Sequence, residues 1–300
     1  MDGILLRFGC MIPRCGNGKK MVVKIVTDSG SDITREQAEE LGITVVPVYL
    51  RFGDVMYRDG VDMDCDEFYR RLTTTQVHPS TASPSPGDFA GVYEQIGQEN
   101  VEIISIHITK EHSAVYDSAR AGKEMAAVKE RSIEVVDSGG VTVWQCLVVL
   151  AAARAAKEGQ DMQGVMEVIR QTIGQLRVLA FVDTMKYLIK GGRLSHTIYT
   201  IESLLNVKPF LTIQGGKIRP VGMTRTRARG IDRLREFIRS SVHIEEVAIA
   251  YSTLTEDALE LAGYTTELFP HVVPHVNRIG PALGVHSGPG TLIVVVRTTG

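Results

Sequence analysis

No stretch of this sequence is long and apolar enough to cross a bilayer. The longest, Val141 to Ala153, is interrupted by Thr142 and Gln145 and falls short of the ~20 residues that a spanning helix needs. An excess of one charge is missing as well. The 33 basic side chains stand against 35 acidic ones, so neither nucleic acid nor an anionic membrane is expected as the main partner. Cysteine is scarce: Cys10, Cys15, Cys65 and Cys146 form no C-x-x-C or Cys/His cluster that could hold zinc. That usage fits a reducing cytoplasm, although Cys10 and Cys15 in a Gly-rich tail also admit a redox-active reading. His271 and His275 are four apart, but Pro274 between them breaks the helix that a shared metal would need. Signatures for nucleotides and for serine catalysis are missing too: there is no G-x-x-x-x-G-K-[ST], no G-x-G-x-x-G after the first strand, and no G-x-S-x-G. No metal or cofactor is expected.

What is present describes a folded protein. Hydrophobic residues make up 44% of the chain and charged residues 23%, over 300 residues, enough for two ordinary domains. The start, MDGILLRFGCMIPRCGNGKK, lacks the hydrophobic region and cleavage site of a leader. Residues 1–20 are expected to be a disordered tail or an artefact of start-codon choice, with folding from Met21. Strand and helix then alternate. VVKIV (22–26) ends in a polar turn. A helix opens at Thr34 with Gln37 completing a capping box and stops at Gly42. ITVVPVYL (43–50) reads as one strand, at an edge or bulged because of Pro47. Ser85 and Pro86 open a helix running through Ile96. The strands at 101–108 and 133–137 are each followed by a helix, the second of these long and apolar (about 141–158). This order predicts a parallel sheet covered on both faces. Beyond a helix at 161–176 the texture changes to strand 178–183, a hairpin around Gln214-Gly215-Gly216, and helices alternating with VAIAY and TLIVVVR. The expected fold class is therefore α/β in two domains. The first, 21–175, is an α/β/α layer structure; the second, 176–300, is α+β with a mixed sheet.

Several polar positions stand out. Ligands gather at the carboxyl ends of parallel strands, and three such ends are rich in small polar residues: Asp28-Ser29-Gly30, Ser113, and Asp137-Ser138-Gly139. A helix start at Ser113 would favour an anion. Each could equally be an ordinary turn or cap. The segment Pro79 to Pro86 carries more hydroxyls than capping explains, with Thr81 and Ser83 left over. Arg193, after Gly191 and Gly192, could cap a helix or offer a planar fork to a carboxylate. His286 projects from a glycine-rich segment that reads as a loop.

Taken in order, these stretches resemble the DegV family of bacterial fatty-acid-binding proteins. The matching segments are IVTDSGSD (25–32), ITVVPV (43–48), Tyr57 to Gly60, Glu67-Phe68-Tyr69, Pro79 to Phe89, the Ser105–Ala119 region, VVDS (135–138), YLIKGGRLS (187–195), LLNVKPFL (204–211) and GVHSGPG (284–290). The resemblance implies two α/β domains with a long-chain fatty acid sealed between them. It implies that Thr81, Ser113 and His286 contact the carboxylate and that Arg193 supports them; Ser29 and Ser83 are expected as further ligand-binding residues. It further implies a role as the lipid-binding subunit of a fatty acid kinase in phospholipid metabolism, not an enzyme alone, with ATP and magnesium on the partner. Arg225, Arg227 and Arg229 resemble the surface that docks the kinase, and peripheral membrane contact would serve lipid exchange.

Two departures from the family pattern bear on the head group. Thr81-Ala82-Ser83-Pro84 replaces Thr-Ser-Gln-Pro, and His112-Ser113-Ala114-Val115 replaces Leu-Ser-Gly-Thr. They leave open a carrier of some other apolar anion. A different class of reading, an acyl ester hydrolase with Ser113 as nucleophile and His286 as base, also remains at this point.

Overall fold

The computed structural model describes residues 21–97, 101–127, 132–193 and 207–299, so the expected disordered tail at 1–20 lies outside the described residues. The first half contains β1 (Val22–Asp28), α1 (Arg35–Leu41), β2 (Thr44–Val46), β3 (Tyr49–Phe52), β4 (Val55–Arg58), α2 (Cys65–Thr74), β5 (Ser80–Ala82), α3 (Pro86–Ile96), β6 (Val101–His107), α4 (Val115–Met125), β7 (Ile133–Asp137), α5 (Val143–Lys157) and α6 (Met162–Gln175). The second half contains β8 (Leu176–Phe181), α7 (Lys186–Lys190), β9 (Lys208–Gln214), β10 (Lys217–Thr224), α8 (Arg227–Ser240), β11 (Ile244–Tyr251), α9 (Thr255–Leu268), β12 (His275–Arg278), α10 (Pro281–Ser287) and β13 (Leu292–Thr298).

The architecture is α/β, with the parallel and mixed sheets that the alternation predicts. One sheet runs β2-β1-β6-β7 and is wholly parallel. The other runs β10-β9-β8-β13-β11-β12, antiparallel except where β11 pairs with β12. Helix α5 explains how they fit together. It is apolar around its whole circumference, which leaves it stable only when covered on all sides. Ile25, Ile104 and Ile106 of the parallel sheet cover one side, and Val178, Ala250 and Val295 of the mixed sheet cover the other. Helices α3 and α4 pack on the far face of the parallel sheet, and α8 and α9 on the far face of the mixed one. The result is five layers with α5 in the middle. Period-two alternation sorts the strands: Val178 and Ala180 face α5, while Leu179 and Phe181 face α8.

Local signals set the helix ends. Gln37 N donates to Thr34 Oγ1 at 3.2 Å, Thr34 N donates to Gln37 Oε1 at 3.0 Å, and Gly42 closes the helix at φ +64°. Ser85 and Asp88 form a reciprocal pair ahead of α3, with Pro86 in its first turn.

Two expectations need correction, and two elements are additional. Residues 43–50 are not one strand. Pro47 offers no N–H to a ladder, and the chain breaks there into β2 and β3. β3 then belongs to a separate antiparallel sheet, β4-β3-β5. The hydroxyl-rich segment contributes a strand of its own, since Ser80–Ala82 is β5 and Thr81 pairs with Leu50. His286 lies on α10, a helix opened by Pro281, rather than on a loop. Helix α2 is additional. Its start is written in Asp64, which accepts from Glu67 N at 2.9 Å, and in the acidic first turn. Among the described residues no helix is long and apolar enough to cross a membrane.

Candidate functional site

The carboxyl end of the parallel sheet is organised by Asp28. Its Oδ2 lies 2.9 Å from His107 Nδ1 and accepts from Ile108 N at 3.1 Å and Gln145 Nε2 at 3.1 Å. His107 Nε2 lies 2.7 Å from Ser105 Oγ, which accepts from Tyr93 OH at 2.9 Å. This Asp–His–Ser chain has the connectivity of a nucleophilic triad. All three residues are 0% exposed, so no substrate reaches the serine, and the chain instead locks β1 to β6. Sequence reasoning missed it, although Ser105 and His107, two apart on one strand, necessarily share a face.

The loop that follows β6 leads to a chamber between the two halves of the chain that is apolar over most of its surface and polar along one wall. Thr81 from β5, His112 and Ser113 from the loop, Arg193 after α7 and His286 from α10 line it. Thr81 Oγ1 and His286 Nε2 are 3.2 Å apart. The other ring nitrogen of His286 is buried with no partner. Gly191 makes this packing feasible, because a Cβ there would stand 2.2 Å from His286 Nδ1. Burial, then Arg193, His78 and His112, push the imidazole's pKa down to about 3, which keeps it neutral near pH 7. Arg193 is half-buried and gives Nε to His112 O (3.2 Å) and Nη1 to Gly191 O (2.8 Å). Among the described residues no carboxylate pairs with it, and burial lowers its proton affinity.

A second, apolar chamber continues from the first. Val178, Ala180 and Val182 after and along β8, Leu211 and Ile213 of β9 and Ile293 of β13 form its walls. Val141, Leu188, Ile218 and Leu283 line both chambers, so these side chains are walls common to the two and a continuous channel opens only where they part. Each chamber has a cavity volume of about 50 Å³. That is room for one or two waters, so a long chain enters only as the lining side chains part.

The sequence-derived residues divide cleanly. Thr81, Ser113, Arg193 and His286 meet in the polar chamber. Ser113 Oγ accepts from Val115 N at 3.3 Å, and α4 begins two residues later than the expected start at Ser113. Ser29 lies elsewhere, donating to Asp59 Oδ2 at 2.8 Å and accepting from Val48 N at 3.0 Å in a different groove. Ser83 follows β5 and lines neither chamber. Arg225 is exposed at the turn before α8. Arg227 is tied inward by Nε to Asp257 Oδ2 (2.6 Å) and Nη1 to Gly290 O (2.8 Å), with Asp183 3.3 Å away. No hydrogen bond joins Ser113 to His286, and the charged groups that act on His286 are basic. The ester hydrolase reading therefore gains no support from the geometry. No group of potential metal ligands occurs among the described residues.

Two sheets wrapped around a shared helix, with a chamber carrying Thr81, Ser113, Arg193 and His286 next to an apolar one, define an α/β protein built around α5. The chain belongs to the DegV family: the family described as "Uncharacterised protein, DegV family" matches residues 22–299. A DegV domain-containing protein of Halalkalibacterium halodurans is 31% identical over 276 residues, covering 90% of this chain and 96% of its own. Among solved structures, DegV of Bacillus subtilis, described as a fatty acid binding protein, has a TM-score of 0.84 at 27% identity and covers 93% of this chain and 100% of its own. A stearic acid-binding protein from Eubacterium ventriosum has a TM-score of 0.83 at 26% identity, with 92% and 98% covered.

Proposed function

We propose that this chain binds one long-chain fatty acid in the channel, carboxylate in the polar chamber, and presents that carboxylate to a fatty acid kinase. The observation that carries the reading is Arg193, a half-buried guanidinium without a carboxylate among the described residues, in a chamber that adjoins an apolar one. A carboxylate removed from water needs such a cation and a set of donors. Thr81, Ser113 and the amides at the start of α4 add donors, and neutral His286 adds one ring N–H. Burial of ~15 methylenes at ~0.8 kcal/mol each supplies a gross drive on the order of 12 kcal/mol, reduced by the cost of ordering the chain and parting the walls. The fatty acids bound by the Bacillus subtilis and Eubacterium ventriosum relatives support the same ligand class.

The step to a kinase rests on the family resemblance. ATP and magnesium would belong to the partner, and this chain would hold the acceptor oxygen in line, a positioning role. Exposed Arg225 and Arg229 are the members of the basic stretch free to meet that partner, since Arg227 is engaged internally. Titration calorimetry with palmitate and its methyl ester, followed by acyl-phosphate assay with a bacterial fatty acid kinase and ATP, tests both parts. Tight binding of the acid and weak binding of the ester is expected. Equal affinity would remove the head-group assignment, and tight binding without acyl phosphate would remove the kinase role.

A further inference from the structure

His112 stands at one of the positions where the chain departs from its family pattern, and the structure gives it a specific task. Its Nε2 accepts a hydrogen bond from Ile218 N at 3.0 Å. Ile218 belongs to β10, the edge strand of the mixed sheet, whose outward N–H groups have no neighbouring strand among the described residues. The imidazole thus fastens the β9–β10 hairpin to the loop after β6. The same joint is closed from both sides. A Cβ on Gly216 would stand 2.8 Å from Thr109 Oγ1, Lys217 Nζ lies 3.4 Å from Glu111 Oε2, and Arg193 Nε donates to His112 O. Ile218 lines both chambers and His112 lines the polar one, so this joint bears on the neck that has to widen for an acyl chain.

An acceptor nitrogen on imidazole exists only in the neutral ring, since both nitrogens of the cation are donors. We propose that His112 is a proton-operated latch on the channel: the neutral ring holds the hairpin shut, and protonation frees it to take up or release the ligand. The inference rests on the carrier reading given above for what passes through the channel, but the latch itself is a property of the unliganded chain. The charged groups that face the ring are Glu111 from its own loop, Lys217 from β10, Arg193 after α7 and His286 from α10. Burial lowers the ring's proton affinity, Glu111 offsets part of this, and Arg193 and Lys217 add to it. Because the closed form binds the proton less well than an exposed histidine, closure is fully favoured above the ordinary value of 6.5 and weakens as the pH falls below it.

Hydrogen exchange of the Ile218 amide, corrected for the intrinsic pH dependence, reads the latch directly. Between about pH 7.5 and about pH 5.5 the native chain should lose roughly tenfold in protection, the value of one hydrogen bond. In His112→Gln the amide oxygen accepts without titrating, so protection should stay level. In His112→Leu it should be low at both values. An equal loss in His112→Gln, or no loss in the native chain, overturns the proposal. Release of a fluorescent fatty acid should accelerate by roughly tenfold over the same range in the native chain and by less in His112→Gln. Identical release profiles would overturn the latch while leaving the carrier reading intact. A chain that binds no fatty acid near pH 7.5 would overturn the carrier reading, and Ile218 exchange would still decide the latch.

Discussion

Thr81 Oγ1 and His286 Nε2 meet at 3.2 Å although the residues are 205 apart in the chain. The contact ties β5, from the small antiparallel sheet, to α10, which the second half of the chain sends back against the first. Each partner is thereby oriented toward the same chamber. Replacing Thr81 with Val keeps the shape and removes the hydroxyl. Fatty acid affinity should fall roughly tenfold, with a Tm change of only a few degrees. Titration calorimetry on the two proteins checks it, and unchanged affinity would remove Thr81 from the head-group set.

Gly191 has φ −76°, so alanine fits its backbone conformation, and the contact with His286 is the chief obstacle, with Tyr187 O 3.1 Å from the added Cβ. Gly191→Ala should cost about 1–3 kcal/mol of stability by overpacking and should weaken ligand binding together with it. Gly192→Ala is a different case, because nothing approaches its Cβ while φ is +69°. Its stability should fall with no specific loss of binding. Thermal melts and titration on both variants separate the two effects.

The start of α10 rests on two carboxyl groups. Asp32 Oδ1 accepts from Gly280 N at 2.9 Å and Asp59 Oδ2 from Ala282 N at 3.3 Å. Burial raises Asp32 to about 8 and Asp59 to about 7, far above the 3.8 of an exposed aspartate. A folded value above the unfolded one means stability that is present in acid and lost as pH rises through the folded value. Asp32→Asn, neutral at every pH, should therefore gain Tm relative to the native chain between about pH 5 and pH 8. Melting both proteins across that range checks it, and a gap that shrinks with pH would contradict the assignment.

Arg227 and Arg225 should part company under mutation. Arg227 Nη1 holds Gly290 O and sits beside Asp183, which also binds Lys208 Nζ at 2.6 Å. Arg227→Ala leaves two carboxylates without this partner and should lower stability by about 1–3 kcal/mol. Arg225→Ala should leave the melting curve within about 0.5 kcal/mol of native and reduce only the kinase-coupled rate. Melts combined with an acyl-phosphate assay distinguish them.

The sequence made some of this legible and hid the rest for physical reasons. Thr34 with Gln37 and Ser85 with Pro86 act within one helical turn, so their helices were readable to within a residue. The family motifs brought Thr81, Ser113, Arg193 and His286 to one chamber. Ser29 was misplaced because its partner, Asp59, lies 30 residues on and turns the hydroxyl away from that chamber. Helix α10 was hidden because seven residues between glycines carry little helical pattern, leaving Pro281 as the main sign. Strand β5 is three residues of hydroxyls and alanine that become a strand only by pairing with Tyr49–Arg51. The Asp28–His107–Ser105 chain depends on register between β1 and β6, which no local pattern encodes.

The most direct test of the carrier account is to denature the purified protein, extract it with organic solvent and identify the extract by mass spectrometry. About one equivalent of a long-chain fatty acid per chain is the predicted result. An extract without lipid, together with no rise in Tm when long-chain fatty acid is added, would contradict it.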